Sequence, residues 1–160
     1  MGREFVRQIA EKYPWLDDIW AIARRAGELE KLKEEIPKVP VRPLPLDISR
    51  EEEREKLEKL LKKERPKILF LVNAAGVGIQ KEFAGISPKE AVSMTELNCS
   101  ALTGITGICL PYCKKGSRIF MLASAAAFIP QPGFSVYAAS KAYVVSFSRA
   151  LNRELKSRKI

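Results

Sequence analysis

Three residues of this sequence could move a proton together. Tyr137 and Lys141 stand four apart near the start of a predicted helix, so their side chains lie one above the other on one face. Ser124 closes the hydrophobic run 118–124 (RIFMLAS), which reads as a buried strand, and open α/β sheets place their ligands beyond the C-terminal ends of such strands. An unperturbed phenol holds its proton to about pH 10, so acid/base work near neutrality asks for about 4 kcal/mol of extra phenolate stabilisation. A neighbouring ammonium supplies it. The chain has no His among its 160 residues, which removes Ser-His-Asp triads, Cys-His dyads and His-based zinc or iron sites. Proton transfer is left to Tyr, Lys, Cys or a carboxylate.

The elements that must position these residues follow from periodicity. Residues 3–13 predict a helix with the apolar stripe Phe5, Val6, Ile9, Ala10 and Tyr13, closed by Pro14. Residues 18–23 (DIWAIA) predict a short strand, followed by Arg24, Arg25 and a charged helix around 28–36. Residues 39–48 are extended, and Pro40, Pro43 and Pro45 confine them to a sheet edge. A charged helix over 50–64 carries a thin stripe of Leu57, Leu60 and Leu61. Residues 67–73 (KILFLVN) form an unbroken apolar run, the mark of a parallel strand buried on both faces. Ser87-Pro88-Lys89-Glu90 is a capping box opening a helix to about Tyr112. A Pro- and Gly-rich loop, 127–135, then leads into a last helix over about 136–156. Alternating strands and helices predict a doubly wound α/β fold with a parallel sheet between two helical layers, as one domain over 1–160.

The composition adds bounds. There are 28 Lys plus Arg against 19 Asp plus Glu, a net charge of +9. Residues 1–23 carry three basic and four acidic groups, 24–67 carry 14 and 11, and 68–160 carry 11 and 4. No basic run with interleaved aromatics appears, so the charge reads as a solvated surface, with no nucleic-acid and no membrane partner expected. Cys99, Cys109 and Cys113 are odd in number and fall in one predicted helix, which argues against a disulfide framework and for a reducing cytoplasm. Cys109 and Cys113 lack a third or fourth ligand, so no metal site is expected. Trp15, Trp20 and the phenylalanines read as core or interface.

Four segments together resemble the short-chain dehydrogenase/reductase family: NAAG at 73–76, ELNCSALTG around Asn98, FMLASAAAF around Ser124, and YAASKAYVVSFSRALNREL from Tyr137. Their order, and the 13-residue interval from Ser124 to Tyr137, also match. The resemblance implies a Rossmann-like fold and an oxidoreductase that interconverts an alcohol and a carbonyl. On it, Tyr137 would be the acid/base, Lys141 would pull down the phenol's pKa and hold the nicotinamide ribose, and Ser124 would bind the substrate oxygen. Asn98 would fix a relay water by bending its helix. Asn73, Ala74, Ala75 and Gly76 would line the cofactor cleft, and Asp47 and Ile48 would sit against the adenine. Arg24 and Arg25 stand where family members preferring NAD carry an acid, so NADP(H) is favoured over NAD(H).

The sequence also departs from the family. The opening strand and nearly all of the T-G-x-x-x-G-x-G loop that binds pyrophosphate are absent, with Gly2 in place of the last glycine. The strands and substrate-covering segment after the last helix are absent too. The expected fold is therefore truncated at both ends, with a slot beside the strands at 18–23 and 67–73. A second reading, of a different class, is a non-catalytic fragment whose helices at 87–112 and 136–156 serve association, since these helices form the family's dimer interface.

Overall fold

The computed structural model describes residues 1–160, which form two compact units, Met1–Ile48 and Ser49–Ile160. In the first, α1 (Gly2–Lys12) precedes β1 (Ile19–Ala23), α2 (Ala26–Glu35) and β2 (Val41–Pro45). β1 and β2 pair in parallel, Ile19 opposite Val41 and Ala23 opposite Pro45. Pro43 and Pro45 lack an N–H, and β2 accordingly pairs with one strand only. The core of this unit is Ala10, Ala21, Leu29, Leu32, Ile36, Val39 and Val41, with Val6, Leu16 and Ile19 packed on it. The helical stripe of α1 thus meets the alternating face of the strands. Trp20 lies half-buried under the Arg42 guanidinium, 4.8 Å from its ring. Trp15, expected in a core or interface, is 67% exposed and stacks edge-on against Tyr13.

The second unit runs α3 (Glu51–Glu64), β3 (Ile68–Asn73), α4 (Pro88–Thr95), a π-helical segment (Glu96–Ala101), α5 (Leu102–Cys109), β4 (Cys113–Met121) and α6 (Ser135–Glu154). β3 and β4 pair in parallel. Leu57 and Leu61 of α3, each 1% exposed, join Met94, Ala101, Leu102, Ile105, Ala138 and Val144 in the core. The capping box at α4 is complete: Ser87 Oγ accepts from the Glu90 N–H, and the Glu90 carboxylate accepts from the Ser87 N–H at 3.0 Å.

The structure corrects four further expectations. The helix predicted over 87–112 is interrupted by the π turn around Asn98 and ends earlier, because Pro111 cannot extend the ladder and Leu110–Tyr112 tighten into a single 3₁₀ turn. Cys113 is therefore in β4, paired with Ile68, and not in a helix. β4 ends at Met121, so Ser124 lies just past the strand, where it caps the short turn Ala125–Ala127. The run 67–73 does form a strand, but Ile68 through Val72 are only half-buried. β3 has a hydrogen-bonded neighbour, β4, on one edge alone, and the β1–β2 pair is a separate sheet. An apolar run records what a strand can bury, while its burial depends on what lies alongside.

Candidate active site

Both strands of the second unit end where the predicted residues gather. Asn73 terminates β3, and its backbone carbonyl accepts from Leu122 N–H at 3.2 Å. Its side-chain amide turns inward and donates to Thr106 Oγ1 at 3.1 Å, while that hydroxyl donates to Leu102 O at 2.7 Å. Asn73 therefore ties the strand end to α5, leaving Ala74, Ala75 and Gly76 as the open stretch of loop.

Asn98 sits in the middle of the π segment and is 1% exposed. A π turn widens the helix locally, and such turns cluster at functional sites. Both amide hydrogens of Asn98 are used, toward Val77 O and Ser140 Oγ, each at 2.9 Å, and its Oδ1 accepts from Val77 N–H at 2.9 Å. Ser140 Oγ then donates to Tyr137 O at 2.7 Å. One buried amide thus links the loop after β3 to the first turn of α6.

Tyr137 and Lys141 lie on that turn as the spacing of four predicts. Lys141 Nζ is 5.7 Å from the centre of the Tyr137 ring and donates to Leu122 O at 2.9 Å. Lys141 is 6% exposed. Burial is the main cause that lowers its pKa from the usual lysine value, and Cys99 opposes it. Phe134 packs on the other side of Tyr137, ring centres 5.6 Å apart. Ser124 Oγ accepts from Ala126 N–H at 3.3 Å, and the turn it caps packs against α6.

The loop after β3 needs its glycines for closeness. A Cβ on Gly76 would stand 3.1 Å from Asn98 Oδ1 and 3.2 Å from Lys141 Nζ, and one on Gly78 would stand 3.0 Å from the Tyr137 ring. Gly76, Asn98, Tyr137 and Lys141 therefore form one cluster, with Ser124 on the adjoining turn. Ser140, Val77, Leu122, Thr106 and Gly78 belong to it and were missed in the sequence. Ser140 had a signal, a polar residue three after Tyr137 on the inward face; Val77 and Leu122 act through backbone atoms and had none. In the other unit, Arg24 and Arg25 are exposed between β1 and α2, Asp47 and Ile48 are half-buried after β2, and Gly2 begins α1.

The sequence profile described as short chain dehydrogenase matches residues 1–160. The chain is 29% identical over 165 residues to the very-long-chain 3-oxoacyl-CoA reductase of Emericella nidulans, covering 97% of this chain and 46% of that protein. It thus spans about half the length of the curated relatives it matches. Among solved structures, the bulky-bulky ketone specific alcohol dehydrogenase of Comamonas testosteroni superposes with a TM-score of 0.81 at 22% identity, over 98% of this chain and 61% of that one. A short-chain dehydrogenase of Sphingobium yanoikuyae in complex with NADPH gives 0.79 at 24%, over 98% and 60%. These two likenesses establish the Rossmann-type α/β fold.

Proposed function

The chain belongs to the short-chain dehydrogenase family, and on that premise we propose that it carries the acid/base centre of an oxidoreductase acting on an alcohol or carbonyl with NADP(H). The observation that carries the reading is the buried network from Val77 through Asn98 and Ser140 to Tyr137, with Lys141 beside it. It holds a phenol and an ammonium at the C-terminal end of two parallel strands. Relatives named as reductases favour the carbonyl-reducing direction.

The residues fit a nicotinamide cofactor. An ammonium has three donors; Leu122 O takes one from Lys141, and the remaining two suit the hydroxyls of a ribose. The missing Cβ of Gly76 keeps the surface beside Asn98 and Lys141 open to close approach. Ala74 and Ala75 extend that surface, while Arg24 and Arg25, standing at the end of β1 with no acid in the segment AIARR, favour the 2′-phosphate of NADP. Asp47, Ile48 and Gly2 are proposed on the family resemblance as adenine and pyrophosphate contacts. When bound, the nicotinamide supplies or accepts the hydride.

The chain's own residues handle the proton. Tyr137 Oη gives its proton to the substrate oxygen in reduction and takes it back in oxidation. The Lys141 ammonium, 5.7 Å from the ring, favours the negative charge that then resides on the phenol oxygen. Ser124 Oγ orients the substrate oxygen, and Asn98 fixes the π turn from which a relay water would be held. Phe128 and Ile129, 62% and 68% exposed, and the half-buried Phe134 offer apolar walls for the substrate.

Association is part of the same reading. A recess of about 640 Å³ between α4, the π segment and α6 is lined by Phe83, Thr95, Cys99, Val136, Ala139 and Tyr143. With Val92 57% exposed on α4, this face suits a second copy of the chain. The test of the catalytic reading is titration of the purified protein with NADPH, followed by nicotinamide fluorescence, and turnover with carbonyl substrates. Tyr137→Phe is expected to abolish turnover and to leave cofactor affinity within about twofold; retained turnover removes Tyr137 from the acid/base role.

A further inference from the structure

The net charge of the chain is dispersed in sequence and gathered in space. The segments 62–67, 114–118 and 153–159 hold eleven Lys and Arg against two Glu, while the rest of the chain carries 17 basic and 17 acidic residues. The whole excess of +9 therefore belongs to these three segments.

Folding brings them to one end of the second unit. Ile68, next to Lys67, pairs with Cys113, next to Lys114. Lys62, at the end of α3, lies within electrostatic reach of the Tyr112 phenol group, just before β4. Gly116 N–H donates to Lys159 O at 2.9 Å, and the Arg158 guanidinium donates to Leu110 O and Cys113 O, each at 3.1 Å. This is the N-terminal end of β3 and β4. The cluster around Tyr137 lies at the other end, about 20 Å away along six strand residues.

Part of this charge has a structural explanation. Lys62, Lys63 and Arg153 sit in the last turns of α3 and α6, where cations complement the carbonyl ends of the helices. Lys62 also pairs with Glu58 at 2.7 Å. Lys114 Nζ likewise donates to Pro111 O at 3.1 Å, at the 3₁₀ turn that ends the preceding helix, so that account reaches Lys114 but not Lys115. The pairing jumps from Ile68–Cys113 to Phe70–Arg118, so residues of β4 loop out between them. The bulge is closed by Ser117, whose Oγ accepts from Lys114 N–H at 2.8 Å and donates to Ile68 O at 2.6 Å, and by Gly116 at φ +90. Only glycine adopts that conformation without strain. Two adjacent exposed lysines are held out on an ordered bulge in the centre of the patch.

We infer that this end of the unit is an electrostatic docking surface for an anionic phospholipid bilayer. The chemistry of the patch selects that partner. Seven of the eleven cations are Lys, compact point charges that suit many headgroups at once, where Arg would favour bidentate readout of bases. Phe83, Val92, Phe128, Ile129 and Tyr143, the exposed large side chains of this unit beside Val77, lie in other segments, and Tyr112 beside the patch is half-buried, so the patch lacks the row of exposed rings on which successive bases stack. Adsorption through charge alone needs no inserted segment, in keeping with the absence of any helix long and apolar enough to cross a membrane. Anionic lipid attracts such lysines cumulatively, within a Debye length of the surface.

The test is co-sedimentation of the 160-residue chain with vesicles of phosphatidylcholine and phosphatidylserine, and of phosphatidylcholine alone. Binding is expected to the anionic vesicles only and to disappear on raising salt from about 0.05 to about 0.5 M. Lys114→Gln/Lys115→Gln/Lys156→Gln is expected to weaken partitioning about 100-fold, taking the usual contribution of one Lys near a charged membrane. Lys31→Gln/Lys33→Gln/Lys38→Gln removes the same charge from the first unit and is expected to bind as the parent does. Thermal melts by circular dichroism establish that both variants fold. No anionic-vesicle binding at low salt, equal binding to neutral vesicles, or undiminished binding by the first variant overturns the inference. So does tighter binding to a duplex oligonucleotide than to the anionic vesicles, which would make this a nucleic-acid surface.

Discussion

Removing the Asn98 side chain tests whether the centre around Tyr137 is held as a unit. Asn98→Ala deletes three hydrogen bonds, to Val77 N–H, Val77 O and Ser140 Oγ. Val77 is 41% exposed, so water replaces its lost partners and each bond counts at its net value, about 1 kcal/mol. Ser140, 2% exposed, keeps its bond to Tyr137 O but loses its only side-chain donor. The sum is about 3 kcal/mol, a large share of the 5–15 kcal/mol typical of a domain. In urea, with a slope of about 2 kcal/mol/M, the midpoint is expected to fall by about 1.5 M. Ser140→Ala alone is expected to cost about 1 kcal/mol, and in the Asn98→Ala background much less, a coupling of about 1 kcal/mol. Equilibrium unfolding followed by circular dichroism reads all four proteins. A loss below about 0.5 kcal/mol for Asn98→Ala, or strict additivity across the cycle, would refute the network as the element that fixes Tyr137.

Two further predictions rest on separate contacts. Gly76→Ala places a methyl 3.1 Å from Asn98 Oδ1 and 3.2 Å from Lys141 Nζ, both pinned by their own hydrogen bonds, and is expected to cost about 1–2 kcal/mol. The cost should shrink in an Asn98→Ala background, and an equal cost in both would show that the crowding is not at Asn98. Burial pushes the Cys109 thiol up to about 12 from its ordinary 9.0, with the neighbouring Cys113 adding to it. Because the folded value is raised, the protonated thiol's contribution is complete below pH 9 and is lost as pH rises from about 9 to about 12. Stability measured across that window is expected to fall by about 1.4 kcal/mol per pH unit from this group, and less steeply in Cys109→Ala. Parallel pH profiles for the two proteins would count against it.

Much of the architecture was legible because it is written in local periods. The stripe of α1, the prolines of β2, the capping box of α4 and the apolar runs of β3 and β4 each depend on residues within one element. The capping box is complete because Ser87 and Glu90 need only each other. Ends were less legible. Cys113 reads as helix by composition, and only its pairing with Ile68 draws it into β4. The candidate site was legible in its side chains, Asn98, Tyr137 and Lys141, since the spacing of four and the segment order are sequence properties. Its backbone members, Val77 and Leu122, were not, because any residue supplies an N–H or a carbonyl and only the fold decides which one arrives.

The sequence by itself determined the chemistry this chain can attempt. Without His, and with Tyr137 and Lys141 on one helical face, the proton has few places to go. Tertiary structure alone decided two things. It made Asn98 the joint between a loop and a helix 42 residues away from it at Ser140. It also turned a scattered excess of +9 into one charged end, because the C-terminus of α3, the bulge of β4 and the end of α6 meet where the parallel strands begin. Charge acts through distance in space, and a parallel sheet returns every helix to the same end.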